Sequence, residues 1–407
     1  MILYSTFTLA NGIRVIHNYD SATAMVALVV MWRTGGADDP DAHPGLAHLM
    51  EHLMFAGSVN VPDFDGTIQA AGGHDNAYTS DDVTCYYSVV PAHNAETAFY
   101  IESDRLIGLA LTDESVAVQR DVVIEEFKQV CLNRPYGDLS HHLRRMAFSR
   151  HPYRIPVIGE TPEQIASVTR ADVQRFYAEH YATSNAVISI SGNITFGRAR
   201  ELAEKWFGTI PPSTARMREI IVEPEVTAPR HQTVEAGAPA PLVTVAFPSH
   251  ALSHPLYRAG DILTDTLANS DSMPLRRSLV TERKIMSDIG ASVMGTMDPG
   301  LLVVQGRPAP GVDPRAATDA IIGELVKLRD EGMEERQVRR AVNLFVTRRH
   351  LENLTEADRA RNLASALIQG IDYNDETDAY EALTADDVNA AAREIINPSR
   401  AMTLHYI

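Results

Sequence analysis

Between Gly45 and Gly57 the chain reads Gly-Leu-Ala-His-Leu-Met-Glu-His-Leu-Met-Phe-Ala-Gly, an apolar run broken only by His48, Glu51 and His52. Nothing else in the sequence restricts the fold as strongly. A segment this apolar has to be buried, and ionisable groups carried into the interior need a partner there. Leu46, Ala47, Leu49, Met50, Leu53, Met54 and Phe55 favour a mostly buried helix, for which Asp41 offers an N-cap oxygen, Pro44 suits the first turn and Gly57 a stop. Helix residues four apart share a face with Cβ atoms about 5–6 Å from each other, so His48 and His52 can address one metal ion. Glu51 falls on the same side, placed to take a proton from an activated water rather than to bind the metal. Two histidines and a glutamate also reach this spacing by chance, so the reading requires a third ligand.

The length of 407 residues exceeds what one hydrophobic core usually supports and predicts two domains of about 200 residues. A net charge of −17 argues against a nucleic-acid partner, which needs a basic face. Two cysteines, Cys85 and Cys131, provide neither a disulfide framework nor a Cys-x-x-Cys metal site. The first residues, Met-Ile-Leu-Tyr-Ser-Thr-Phe, lack the basic start and apolar core of a signal peptide. A cytoplasmic location is expected, or a periplasmic one if an export signal precedes this stretch. The longest apolar run, Met25 to Trp32, is too short to cross a bilayer, and no membrane partner is expected.

Along the chain, residues 3–20 read as a hairpin turning at Asn11-Gly12, 24–33 as a buried strand, and Asn76 to Val90 as a strand region of β-branched and aromatic residues. Residues 93–109 and 113–131 read as helices, the second capped by Thr112 or Asp113; 185–192 is another strand. The polar stretch 213–228 predicts a linker between domains 1–212 and 229–407. Beyond it the alternation starts again, with strands at 242–247, 301–305 and 401–406 and helices at 257–269, 314–331 and 334–353. The fold class expected is α+β, two similar domains of sheet packed with helices.

In the helix 113–131, Val116, Val123, Phe127 and Val130 define a buried face that also holds Gln119 and Glu126, whereas Glu125 lies with Asp121 and Lys128 on the solvated face. An inward-facing acid needs either a basic partner or a metal. The segment 259–270 can be laid over 47–58, which puts Gly260, Leu263 and Thr264 where His48, Glu51 and His52 stand. The pattern is that of a long-period duplication in which only the first half holds metal.

His48-x-x-Glu51-His52, with Glu126 following in Arg-Asp-Val-Val-Ile-Glu-Glu-Phe, resembles the zinc motif of the pitrilysin and insulinase metallopeptidases, which is inverted relative to thermolysin. The resemblance continues in Gly72-Gly-His-Asp-Asn-Ala-Tyr-Thr-Ser, Tyr86-Tyr87, His151-Pro-Tyr153 and 172–185, and the length is that of the short members such as processing peptidase subunits. It implies two mostly antiparallel domains forming half of a clam-shell peptidase. It further implies one Zn2+ per chain on His48, His52 and Glu126, with Glu51 as general base. The stretch Asn76, Ala77, Tyr78 and Thr79 looks like the edge strand on which an extended peptide substrate adds itself, Asn76 holding its backbone.

Two departures stand out. Gln119 occupies the place of a second glutamate that commonly lies behind the zinc ligand, where a lost charge alters ligand orientation or affinity. Val280 and Ser287 stand where the family carries an Arg and a Tyr that brace the substrate carbonyl. The function implied is hydrolysis of short or unfolded peptides by the catalytic subunit of a heterodimer whose related partner supplies that Arg and Tyr, with a homodimer as the other arrangement. A non-catalytic scaffold subunit and a dedicated peptide-maturation protease in cofactor biosynthesis are the competing readings.

Overall fold

A computed structural model describes all residues, Met1–Ile407. Eleven strands form two sheets. The first contains β1 (Ser5–Thr8), β2 (Arg14–Tyr19), β3 (Met25–Trp32), β4 (His74–Thr79), β5 (Thr84–Pro91) and β6 (Ala186–Gly192) in the order β1-β2-β6-β3-β5-β4. Only β2 and β6 run parallel there. The second contains β7 (Arg230–Val234), β8 (Leu242–Pro248), β9 (Met286–Val293), β10 (Leu301–Pro308) and β11 (Met402–Tyr406) in the order β7-β11-β8-β10-β9, with β7 and β11 parallel. Each sheet is therefore mostly antiparallel and packed with helices, the α+β architecture expected.

The helices up to the second sheet are α1 (Leu46–Leu53), α2 (Phe64–Ala70), α3 (Ala95–Ile107), α4 (Asp113–Phe127), α5 (Leu139–Ala147), α6 (Pro162–Ser167), α7 (Arg170–His180) and α8 (Phe196–Trp206). Those that follow are α9 (Tyr257–Ala268), α10 (Pro314–Glu331), α11 (Glu335–Leu351), α12 (Glu356–Gln369), α13 (Tyr373–Glu381) and α14 (Ala385–Ile395). None is long and apolar enough to cross a membrane. The apolar run Met25 to Trp32 becomes β3, buried from Val26 to Trp32, which accounts for its lack of alternation: helices cover the sheet on both faces. The region Asn76 to Val90 is two antiparallel strands, β4 and β5, with a turn at 80–83, rather than one strand region.

The chain divides into two compact units that are not contiguous in sequence. Residues 1–130, 155–221 and 350–376 form the first, and 131–154, 222–349 and 377–407 the second. This differs from the expected 1–212, 213–228 and 229–407. Helix α12 lays Ala360, Leu363 and Ala364 against the first sheet, although it lies far beyond the linker in sequence. Helix α5 conversely packs on β11. An amphipathic pattern reports that a helix has an apolar face but not which sheet covers it. Residues 211–229 contain no helix or strand, in keeping with their polar composition.

Candidate metal centre

Helix α1 begins at Leu46 and ends at Leu53, with Met54 to Ala56 in turns before Gly57. Its start is not capped by Asp41. The Asp39 carboxylate instead accepts hydrogen bonds from the Gly45 and Ala47 N–H groups at 2.6 and 2.7 Å. Gly45 has φ of 93°, and a Cβ there would come within 3.0 Å of the Gly159 Cα, so both the left-handed conformation and the close backbone approach call for glycine. Leu46, Ala47, Leu49, Met50 and Leu53 are buried, which fixes the helix rotation and leaves His48 and His52 on the remaining face.

Helix α4 supplies the opposing carboxylate. Thr112 and Ser115 form a reciprocal capping box at its start. Val116, Val123 and Phe127 are buried, and Glu126 turns with them toward α1. Glu125 points to solvent and pairs with Lys128 at 2.6 Å. The Nε2 atoms of His48 and His52 lie 3.7 and 3.4 Å from the Glu126 Oε2, with their rings almost perpendicular. Donor atoms of a tetrahedral zinc site stand about 3.3 Å apart, given bonds of about 2.0–2.1 Å, so the three side chains are spaced as ligands.

The electrostatics agree with that donor set. Burial is the largest influence on His48 and pushes its pKa down to about 4, leaving a neutral imidazole with a free lone pair at neutral pH. The His52 hydrogen bond holds the Glu126 carboxyl below its ordinary range. The His48 Nδ1 is buried without a hydrogen-bond partner, so no neighbour orients that ring from behind. Two imidazoles and a carboxylate suit a divalent transition ion.

Glu51 is hydrogen-bonded through Oε2 to the Thr79 hydroxyl of β4. Burial raises its pKa above the usual carboxylate range, against the lowering effects of Thr79 and His52. Strand β4 is the end strand of its sheet, paired with β5 on one side and with no strand on the other. His74, Asn76 and Tyr78 are exposed, whereas Asp75, Ala77 and Thr79 share the partly buried face from which Thr79 reaches Glu51. The Asn76 Oδ1 accepts the Ala77 N–H at 2.8 Å, and the Asn76 amide donors remain free. Gln119 is half-buried two turns before Glu126 and makes no hydrogen bond to the three clustered residues.

Two further features stand beside the centre. A cavity of about 400 Å3 adjoins β4, lined by Phe55, Asp65, Gln69, Gly73, His74, Asp75 and Asn76. In it, burial and then the Asp65 charge push the Asp75 pKa up to about 6. Behind α1, Arg105 is 1% exposed; it pairs with Glu102 at 3.0 Å, donates to the Met54 carbonyl at 3.0 Å, and lies over the Phe64 ring at 3.5 Å. An acid and a base three apart on a helix look like an ordinary surface pair, so neither residue announces its burial in the sequence.

Comparison with known proteins bears on the same residues. The model of the insulinase family (peptidase family M16) matches residues 14–161, and that of the peptidase M16 inactive domain matches 167–345. The chain belongs to the insulinase family. The four residues of the candidate centre all fall in the first match. The zinc protease PqqE of Helicobacter pylori is 25% identical over 332 residues, covering 80% of this chain and 74% of that protein. A probable mitochondrial-processing peptidase subunit beta of Schizosaccharomyces pombe is 26% identical over 274 residues, covering 65% of this chain and 59% of that one. A crystal structure of a protease from Helicobacter pylori superposes with a TM-score of 0.93 over the full length of both chains at 23% identity, which establishes the shared fold. This is a family of zinc peptidases.

Proposed function

We propose that this insulinase-family chain is a zinc-dependent endopeptidase acting on short or unfolded peptides, and the catalytic partner of a related subunit. The observation that carries the reading is the convergence of His48 and His52 on Glu126, with Glu51 beside them held by Thr79. The zinc would be held by His48, His52 and Glu126, and when bound it supplies the Lewis acidity that makes water nucleophilic near neutral pH. Glu51 takes the proton of the attacking water on its carboxylate and passes it to the leaving amine nitrogen. Its raised pKa improves the match to that task. Thr79 holds the carboxylate in place, and the unpaired edge of β4 offers backbone hydrogen bonds to an extended peptide, with Asn76 as an additional donor.

The partner enters because of Val280 and Ser287. Val280 packs against the apolar core of the second unit, and Ser287 is an exposed residue of β9 whose hydroxyl donates to the Pro308 carbonyl at 3.3 Å. Neither offers a fixed donor to a developing oxyanion, and loss of one such donor commonly costs about 2.7–4 kcal/mol in the transition state. The name of the fission-yeast relative, a subunit beta, describes a chain that works within an assembly.

Zinc content and cleavage of a quenched fluorescent peptide test this. Glu51→Gln should keep the metal and lose hydrolysis; a metal-replete variant with full turnover would remove Glu51 from the mechanism. The chain alone should cleave poorly, and a related subunit carrying the Arg and Tyr should restore turnover without added metal. Full activity from the isolated chain would reject the partner.

A further inference from the structure

The second unit repeats the strand, loop and helix that carry the metal centre of the first. Strand β8 ends at Pro248, and after a loop α9 starts at Tyr257. Helix α9 itself has no ligands at the corresponding places, where Gly260, Leu263 and Thr264 stand. The loop before it carries a different pair, His250 and His254, and the last turn of α14 brings Glu394 to them.

One ligand atom from each of these three side chains lies within 4.8 Å of the others. The His250 Nε2 faces the Glu394 Oε1 at 3.3 Å, close to the spacing between His52 and Glu126. That nitrogen is buried and makes no hydrogen bond, so a polar atom aimed into the cluster is left unsatisfied. The two imidazoles stack at 3.9 Å between centroids and within 10° of parallel. Two imidazolium rings would repel at that distance, so the arrangement suits neutral rings; their in-plane lone pairs run nearly parallel, so ligation of one ion turns one ring out of the stack.

The scaffold around the cluster is ordered by local bonds. The His254 N–H donates to the Ala251 carbonyl and the His254 carbonyl accepts from Tyr257 N–H, both at 2.9 Å. The Leu256 N–H donates to the His254 Nδ1 at 3.2 Å, a bond that ligation through Nε2 would release when the ring proton moves to Nδ1. On the other side, Ile395 reaches to within 3.0 Å of where a Cβ of Gly260 would stand, so α14 is seated directly against α9 next to the cluster. Arg400 opposes a bound cation, since its charge acts on His250.

We infer that His250, His254 and Glu394 form a second metal site, for a divalent transition ion of the zinc, nickel and copper class. Imidazole donors select that class, and a single carboxylate with two neutral rings is too weak a set for calcium or magnesium. The bound ion clips the loop before α9 to the end of α14. Glu394 is exposed and Arg400 is close, so this site binds less tightly than the one on α1 and α4 and escapes a one-ion stoichiometry measured at limiting metal.

The test is zinc binding to the full chain by equilibrium dialysis with elemental analysis, read alongside zinc-dependent thermal shifts. At saturation the wild type should hold about two ions, and the His48→Ala/His52→Ala chain about one. Adding His254→Gln and Glu394→Gln to that chain should abolish the remainder and the thermal shift. Both residues are exposed, so melting in chelator should be unchanged and a folding defect is distinguishable. Glu394→Gln alone should weaken the second ion at least tenfold and Arg400→Gln should strengthen it, while neither alters the tightly bound ion. Copper in the His48→Ala/His52→Ala chain should show imidazole nitrogen couplings that the His254→Gln change reduces. A His48→Ala/His52→Ala chain that binds no zinc, or a His254→Gln/Glu394→Gln chain that still holds two ions, would overturn the assignment. Retention of both ions by His48→Ala/His52→Ala would instead defeat the centre on α1 and α4 and leave this one standing.

Discussion

Arg105→Met tests how the metal helix is supported. Arg105 and Glu102 are each 1% exposed, and the Ser88 hydroxyl donates to the second Glu102 oxygen at 2.6 Å. Arg105 Nε donates to the Met54 carbonyl, one residue past the end of α1, and the guanidinium also lies over the Phe55 and Tyr86 rings. Removing the arginine strands the Glu102 charge in a desolvated place, which costs about 3–5 kcal/mol. The Met54 carbonyl and the ring contacts are lost as well, so the upper half of that range is expected. In a unit of this size each kcal/mol lowers Tm by about 2–4 °C, and calorimetry should therefore show the transition falling by roughly 8–20 °C. The double change Arg105→Met/Glu102→Leu should recover most of the loss, because a buried ion pair replaced by apolar groups is close to neutral. Zinc affinity should fall in Arg105→Met and recover in the double variant, since the pair acts through the end of α1. A loss below about 1 kcal/mol, or a double variant no better than the single one, would refute the argument that an uncompensated charge is what matters.

Three further outcomes follow from the site and its surroundings. Glu126→Gln should lower zinc occupancy while Glu125→Gln leaves it near normal, as measured by elemental analysis after dialysis; equal loss in both would mean that the faces of α4 are misread. Thr79→Val should keep zinc and reduce kcat about tenfold, the worth of one positioned hydrogen bond, and should raise the acidic limb of the rate profile because Thr79 lowers the Glu51 pKa. An unshifted profile would show that this bond does not set the protonation of Glu51. Glu223 accepts the N–H groups of Ser149, Arg150 and His151 and the Ser149 hydroxyl, and although burial alone would raise its pKa, these bonds hold it below the ordinary value. A depressed folded-state value means stability that is complete above the unfolded pKa of about 4.3 and is lost as pH falls through the folded one. Glu223→Gln should therefore cost about 1–2 kcal/mol at pH 7 after solvent screening and nothing near pH 2, by urea denaturation at both.

The local pattern alone shows that His48, Glu51 and His52 share a buried helix, because the apolar residues between them leave a helix only one way to turn. It also separated Glu126 from Glu125, since Val123 and Phe127 define the inward face of α4 by helical period alone. The strands with long apolar runs, β3 and β8 above all, were legible for the same local reason. Which carboxylate caps α1 was settled by the fold, because Asp39 reaches Gly45 and Ala47 through a turn that sequence spacing does not specify. The separation of β4 from β5 by a turn, and with it the exposed edge beside Glu51, came from sheet pairing. The exchange of α12 and α5 between the units, and the meeting of His250 and His254 with Glu394 far along the chain, depend on long-range contacts. Helical and strand periods follow from neighbours a few residues apart, whereas the partner of an apolar face or of a lone carboxylate is chosen by packing across the whole chain, which no local pattern encodes.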